Sequence, residues 1–560
     1  MKLKGYLCFS FLICAAAAAP AFTQVRAADP FRQVSASEPF EIGPGSSFSA
    51  SSGRPPKAAV AKHTIAADVD EALQVINKSH ISGKDLDTGA LTRSAIKSML
   101  HTLDPHSSFF DTVEFRELLQ EQQSEYFGIG STIANYERNG RLDTYVVAVL
   151  PKSPAFKAGL RFGDRIHSVE GESMSGKDAE IVKRKIRGPN GTSVRMIVER
   201  AASGRQDTIE IRRGRVMQPS IVDSYLIRPG VGYIDLSTGF NFSTSKEFDR
   251  SLGSLQEQGA KSLILDLRGN TGGILEQAVK VAERFIPAGD VIVSQRGRYA
   301  SDSRTWRASR RDPQTIPLVI LVDGKSASAS EVVAGALQDN DRALIVGERT
   351  FGKGLVQNII DLPGQTGLTL TTARYYTPSG RSLQRDYSNG SLYDYYRHEP
   401  NAASARTETK TLTRRKVYGG EGIAPDEVIS AGQLTAHQLA LIDPLFFFAV
   451  DIANGRIEDH VTAATNPDGD SSAIGETLVD AFLKFVESEK GWPQAVRSAP
   501  NERAFAALRL RYLLALATAG NNAAAKLLIE NDPQVLHALK AIPRADELAK
   551  TARNASRASK

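Results

Sequence analysis

The sequence predicts a multidomain α/β protein with a small inserted β module and helical regions at both ends. Three observations lead there. A chain of 560 residues and 60.6 kDa is too long for one hydrophobic core. Over residues 215–430, the short apolar runs GVGYIDL, KSLILDL, LVILVDG and ALIVGE alternate with helical stretches such as ILEQAVKVAERFI and ASEVVAGALQD. Buried strands joined by crossover helices give that pattern. Residues 123–214 read instead as strand, turn and strand, and from residue 431 onward the periodicity is helical.

Composition narrows the class. With 41% hydrophobic and 24% charged residues this is ordinary globular material. The net charge of +6 is spread along the chain, and no stripe of basic and aromatic residues suggests a nucleic-acid surface. The first residues, MKLKGYLCFSFLICAAAAAPAFTQVRA, combine two lysines, a short apolar stretch and a V-R-A ending. They predict a signal peptide over 1–27, cleaved after Ala27, and an exported, periplasmic protein. Both cysteines, Cys8 and Cys14, lie inside that segment, so the mature chain has no thiol to oxidise. A lipoprotein anchor at Cys14 is disfavoured by the bulky Ile13 before it, and an uncleaved membrane tether is the remaining alternative. Residues 28–60, rich in Ser, Gly and Pro, read as a flexible linker.

Residues 61–122 carry apolar positions at helical spacing, interrupted by LDPHSSFF, which reads as a turn. His101 and His106 flank it; without Cys or acidic partners at ligand spacing, they read as surface or packing residues. In the β module, RNGR is a hairpin tip, SPAFKAGLRFGD a short helix and turn, and KDAEIVKRKIRG a helix. Two strands, TSVRMIVER and DTIEIRRG, close it. In the helical tail, residues 431–560, Phe505, Leu508 and Tyr512 share a face, Gly520 is a helix stop, and Arg503, Arg509 and Arg511 exclude a membrane span.

The chemistry lies in the α/β segment. Gly347 to Lys353 fits the first seven positions of a phosphate-binding loop, but Gly354 stands where Ser or Thr must ligate magnesium, and a strand follows where a helix is required. Nucleotide binding is therefore set aside. Three serines, Ser326, Ser328 and Ser330, open the helix after LVILVDG. Helix capping explains them without catalysis, because Ser328 and Glu331 form a capping box. The same helix end also offers unpaired N–H groups suited to an oxyanion. A nucleophilic serine needs a base, and no histidine occurs between His167 and His398. Lys353, 25 residues beyond Ser328, is the local candidate. To accept a proton near neutrality it must lose roughly two to three pH units from about 10.4, which burial would have to impose. Phe351 offers an apolar wall; Glu348 would oppose the shift if it faced the amine.

Taken in order, S-A-S-A-S-E, L-Q-D-N-D-R-A, L-I-V-G-E, T-F-G-K-G-L-V-Q and Y-Y-T-P-S-G-R-S-L-Q resemble the carboxyl-terminal processing (tail-specific) proteases, serine peptidases with a PDZ domain. The resemblance runs from about Ala61 to Ile429 and takes in LDPHSSFF and the β module, whose YFGIG and SPAFKAGLRFGD look like PDZ segments. It implies Ser328 as nucleophile, Lys353 as general base and Gln357 as the residue that orients the lysine. It also implies an oxyanion hole from the N–H of Ala329 and of Gly272 or Gly273. Phe127, Gly128, Ile129 and Gly130 would hold a protein's terminal carboxylate, while the tail adds a strand beside the next one.

The expectation is a multidomain α/β fold with a crotonase/ClpP-like alternating core and an inserted PDZ-like β module. The expected activity is that of an exported serine endopeptidase needing no cofactor, metal or nucleotide. Its partners would be proteins with flexible apolar C-terminal tails, among exported bacterial members cell-wall hydrolases and envelope lipoproteins. The helical ends are candidates for homo-oligomer assembly or for an adaptor protein. Two rivals stand beside it: a catalytically silent PDZ-bearing periplasmic adaptor or chaperone, and acyl-CoA chemistry on a crotonase layer.

Overall fold

Strands made of uninterrupted apolar residues must be covered on both faces, and this requirement organises the protein. The computed structural model describes residues 62–122, 125–217, 219–387, 407–457, 471–489, 492 and 502–558. The signal segment expected over 1–27 and the linker over 28–60 lie outside the described residues.

The N-terminal region holds helices α1 (Lys62–Ser79), α2 (Thr88–His101) and α3 (Thr112–Gln122). Between α2 and α3, LDPHSSFF is more than the turn expected from sequence. Asp104 Oδ1 accepts the N–H groups of His106 and Ser107, each at 2.8 Å, and Ser108–Phe110 then continues as strand β1. Three residues are too few to show an alternation, so this strand is legible only through its partner.

The β module follows: β2 (Glu125–Gly128), β3 (Ser131–Arg138), β4 (Arg141–Val149), helix α4 (Pro154–Lys157), β5 (Arg165–Val169), β6 (Glu172–Ser173), helix α5 (Ala179–Ile186), β7 (Ser193–Glu199), β8 (Gln206–Arg212) and β9 (Gly214–Met217). Asn139 and Gly140, both at positive φ, make the tight turn between β3 and β4. Strands β3, β4, β5, β7 and β8 form a sheet in that order, with β6 on β5. Ile129, Val146, Ile166, Val182 and Val194 are buried in its core. Strands β2 and β9 pair at the module's entry and exit, Glu125 opposite Met217.

The α/β region contains β10 (Asp223–Arg228), β11 (Val231–Asp235), helix α6 (Thr244–Glu257), β12 (Ser262–Asp266), helix α7 (Leu275–Glu283), β13 (Val291–Gly297), β14 (Arg304–Arg307), β15 (Leu318–Val322) and helix α8 (Ala329–Asp339). It ends with β16 (Leu344–Gly347), β17 (Leu355–Leu362), β18 (Thr366–Tyr376), β19 (Thr407–Lys410), β20 (Lys416–Gly419) and β21 (Glu427–Val428). One sheet has the order β10-β11-β12-β15-β16-β21 and is parallel from β11 onward. Every residue of β12 and β15 is buried, as their apolar runs predict. A second sheet has the order β1-β18-β13-β14, with β17 on β18. Helices α6, α7 and α8 fill the core beside the parallel sheet with Phe248, Leu252, Ala278, Val332 and Leu337.

The tail folds as α9 (Ala436–Ala453), α10 (Ser471–Ser488), α11 (Arg503–Thr518), α12 (Asn521–Ile529) and α13 (Pro533–Ala558). By length and composition α9 could cross a membrane, but Leu441, Leu445, Phe446 and Phe448 are fully buried in protein. Their surroundings explain this. Val146 of β4 points into the β-module core, whereas Val147 and Tyr145 point the opposite way, onto the tail helices. There Tyr136 stacks on Phe446 with ring centroids 3.6 Å apart. Helix α13 turns elsewhere and lays Val535, Ala538, Ala541 and Ala545 over Ile264, Val319, Leu321 and Val346 of the parallel sheet. The tail therefore touches both the β module and the α/β core.

Candidate active site

Three turns at the carboxyl ends of adjacent parallel strands converge, the edge at which α/β sheets collect their chemistry. They are Asp266–Gly273 after β12, Asp323–Ser328 after β15 and Glu348–Gly354 after β16.

Ser328 is the last residue before α8 and has φ 53° and ψ −111°. For a residue with a Cβ this backbone is sparsely populated, at a cost of about 1–3 kcal/mol, and such strain clusters at functional sites. The flanking serines do something different. Ser326 Oγ donates to the carbonyl of Leu267 and Ser330 Oγ to that of Asn270, both at 2.8 Å, so they staple the serine turn to the β12 turn.

The β12 turn reaches Ser328 through Gly272. At φ 108°, a Cβ built there would lie 2.8 Å from Ser328 Cβ and 3.1 Å from the Ala329 nitrogen. Asn270 fixes the turn: its Nδ2 donates to the carbonyl of Leu236 at 2.6 Å, and its Oδ1 accepts the Gly272 N–H at 2.9 Å. That bond occupies Gly272. Gly273 is different, because the chain here forms a parallel bridge to Phe240: the Phe240 N–H donates to Gly272 O and the Ile274 N–H to Phe240 O, each at 2.8 Å. In such a bridge the N–H of the central residue points away from its partner, so the Gly273 N–H is not turned toward Phe240.

Lys353 is 1% exposed, and its Nζ donates to Gln357 Oε1 at 3.0 Å. Gln357 is also buried, on β17. Gly354 lets β17 begin against its neighbour, since a Cβ there would lie 2.6 Å from the Gln384 nitrogen. Glu348, which would have held the lysine charged had it faced it, turns away to accept from Ser430 Oγ at 2.9 Å and Ala431 N–H at 3.1 Å.

One residue joins the two turns. Glu331, 0% exposed, accepts the N–H of Ser328 and the N–H of Lys353 on the same oxygen, Oε2, at 2.8 Å each. Its Oε1 accepts the Gly352 N–H at 2.7 Å and the Thr350 hydroxyl at 2.5 Å. Burial pushes its carboxyl up, against the pull of these four donors. Sequence spacing gives Glu331 only its capping role; its bonds to the 350–353 turn depend on tertiary approach.

Residues 230–395 match the profile of Peptidase family S41, and residues 145–200 that of the PDZ domain. A carboxy-terminal-processing protease of Bartonella bacilliformis is 37% identical over 303 residues, covering 53% of this chain and 68% of the relative. The chain belongs to peptidase family S41. It is thus a serine-type peptidase of the carboxy-terminal processing group, carrying a PDZ domain. A Picosynechococcus carboxyl-terminal-processing protease is 34% identical over 328 residues, 57% of this chain and 77% of that one. The solved photosystem II D1 C-terminal processing protease is 26% identical and covers 66% of this chain and 94% of its own, with a TM-score of 0.36.

In this S41 peptidase the PDZ residues expected to meet a tail occupy two settings. Phe127 and Gly128 end β2, paired with Arg215 and Gly214 of β9, while Ile129 and Gly130 form the turn into β3. Ile129 O accepts the Ala155 N–H at 2.7 Å and Gly130 O the Leu150 N–H at 3.0 Å. The segments YFGIG and SPAFKAGLRFGD therefore hold each other. Helix α5 lies beside β3, tied to it by Asn135, whose Oδ1 accepts the Ala179 N–H at 2.6 Å and whose Nδ2 donates to Lys177 O at 3.0 Å.

A histidine also approaches the S41 site. His101 is exposed, but His106 is partly buried, and burial, with the charges of Lys353 and Arg385 nearby, pushes its imidazole down to about 2. Ser107 explains its placement: its Oγ accepts the Thr371 N–H at 3.1 Å, and Thr371 of β18 lies opposite Gln357. Read as a packing residue, His106 gave no sign of this, because 247 residues separate it from Lys353.

Proposed function

We propose that this S41 peptidase is an exported endopeptidase that captures protein C-terminal tails on its PDZ domain and cleaves them with Ser328 and Lys353. The observation that carries the reading is the shared Glu331 oxygen, which keeps the backbones of the two residues no farther apart than twice 2.8 Å. A strained serine beside a buried amine supports nucleophilic catalysis. Burial favours the neutral amine, and Gln357 gives it a hydrogen-bonding direction.

In this mechanism Lys353 Nζ takes the proton of Ser328 Oγ as that oxygen attacks the scissile carbonyl. The developing oxyanion rests on the N–H groups of Ala329, at the start of α8, and Gly273. Collapse breaks the C–N bond, with the ammonium returning its proton to the leaving amine. Water, deprotonated by the same lysine, then attacks the ester; its second collapse releases the carboxylate and restores Ser328. The substrate tail would lie between β3 and α5 with its carboxylate at Phe127–Gly130. The βα alternation around the site supports a crotonase/ClpP-like description of the core. Residues 1–27 support export to the periplasm, where flexible apolar tails of cell-wall hydrolases and envelope lipoproteins are the substrates proposed.

The test uses the purified mature protein, Ser328→Ala and Lys353→Ala, each with an unstructured apolar-tailed protein at pH 8, fragments being read by mass spectrometry. Cleavage by the parent alone is expected. Cleavage by Lys353→Ala would remove the lysine from the mechanism, and a silent parent would favour the adaptor reading.

A further inference from the structure

Among the described residues, the β12 turn is anchored from a part of the chain that lies outside both profile matches. Arg268 stands two residues before Asn270 and is 9% exposed. One edge of its guanidinium binds Asp266: Nε donates to Oδ1 at 3.0 Å and Nη2 to Oδ2 at 2.6 Å. The other end crosses to the helical tail, where Nη1 donates to Asp532 Oδ2 at 2.8 Å and to Gln534 Oε1 at 2.7 Å. Asp532 is 7% exposed and Gln534 is 0% exposed.

The tail side is itself rigid. Asp532 Oδ1 caps α13, accepting the N–H groups of Gln534 at 2.8 Å and Val535 at 3.1 Å. Gln534 Nε2 donates to Ile429 O at 2.7 Å, and the apolar face of α13 is seated on the parallel sheet. Asp266 also accepts from the Tyr233 hydroxyl at 2.8 Å and from the Arg268 N–H at 3.0 Å, so its lone pairs are already shared. Without Asp532, Nη1 would keep Gln534 as its one acceptor and the buried guanidinium would lose one of its two carboxylate partners, an arrangement buried charges relieve by moving.

Any movement of Arg268 is passed on at short range. The Asn270 carbonyl accepts both the Ala327 N–H at 3.0 Å and the Ser330 hydroxyl, and its side chain holds the Gly272 N–H. We propose that Asp532 is a positioning residue for peptide cleavage, acting through Arg268 to fix the Asn270–Gly273 turn against Ser328. The helical tail is then part of the catalytic apparatus, not an appendage to it. This inference rests on the reading of Gly273 and Ala329 as oxyanion donors.

The full-length protein and its Asp532→Asn variant are compared for kcat and KM on an apolar-tailed peptide, and for inhibition by the corresponding peptide aldehyde, whose adduct places an oxyanion in the site. Asp532→Asn should lower kcat about 10- to 100-fold, leave KM within about twofold, and weaken the aldehyde by a factor similar to the loss in kcat. If Asp532→Asn does not fold, Gln534→Ala removes the second acceptor of Nη1 and is read the same way. Arg544→Ala, which removes an exposed arginine of α13 from its ion pair with Glu427, should keep the parent kcat. Unchanged kcat and aldehyde affinity in the Nη1-acceptor variant, whatever its melting temperature, would overturn the proposal. Ser328→Ala, run in parallel, separates the outcomes: residual cleavage there overturns the serine reading itself.

Discussion

Gly272 and Ser328 are in such close contact that one added methyl group on the glycine would lie 2.8 Å from the serine Cβ. Gly272→Ala also forces an L side chain to φ 108°. The variant should lose at least about 100-fold in kcat, the scale of a lost oxyanion donor. Tail-peptide binding by the PDZ domain should be retained in a fluorescence titration. An active Gly272→Ala would mean that the turn does not approach the reacting carbonyl.

Glu331→Gln keeps the shape but places an amide NH2 where acceptors are needed. Four donors converge on the carboxylate, and an unmatched buried polar group costs about 1–3 kcal/mol. Thermal unfolding should show a loss of that size, and kcat should fall by at least about tenfold because the lysine and serine turns lose their common tether. Loss of stability with kcat intact would confine Glu331 to folding.

Gln357→Glu tests the lysine by charge. A carboxylate 3.0 Å from Nζ stabilises the ammonium, so a base that must be neutral becomes active only at higher pH. The acidic limb of kcat/KM against pH should move up by about one unit or more. Lys353→Arg, which cannot deprotonate, should be inactive throughout. A pH profile identical to the parent in Gln357→Glu would show that the amide does not act on the base.

His106 sets a different pH dependence. Its folded-state value is depressed to about 2, so the folded protein keeps it neutral while the unfolded chain protonates it below about 6.5. Stability from this group is present above that pH and lost as pH falls, at about 1.4 kcal/mol per unit. Urea unfolding at pH 7, 6 and 5 should show the parent losing ground against His106→Gln by that slope. Parallel losses in the two proteins would place the imidazole in solvent.

Phe446→Ala probes the seam between PDZ domain and tail. The ring is fully buried and stacked on Tyr136. Its removal should cost about 3–5 kcal/mol, with the PDZ sheet and α9 becoming protease-sensitive together. Loss of protection confined to α9 would show that the PDZ domain stands alone.

What the sequence reveals here follows the range of the interactions. The parallel strands were legible because burial on both faces leaves continuous apolar runs, and the turns carrying Ser328, Lys353 and Gly272 were legible because glycines and small residues mark them. Glu331 was visible only in its local role, since a capping box needs four residues and its bonds to residues 350–353 need a folded sheet. His106 and Asp532 were hidden for the same reason at greater range: 264 residues separate Asp532 from the arginine it holds. The tail's α9 likewise reads as an apolar helix in sequence, and only the outward-facing Tyr136 and Tyr145 show what it covers.

That separation also sets an order of events. A chain made amino end first at about 5–20 residues per second has its parallel strands and serine turn available well before α13 exists to grip Arg268. On the role proposed for Asp532, completing the sheet and setting its cutting edge become separate steps, the second waiting on α13.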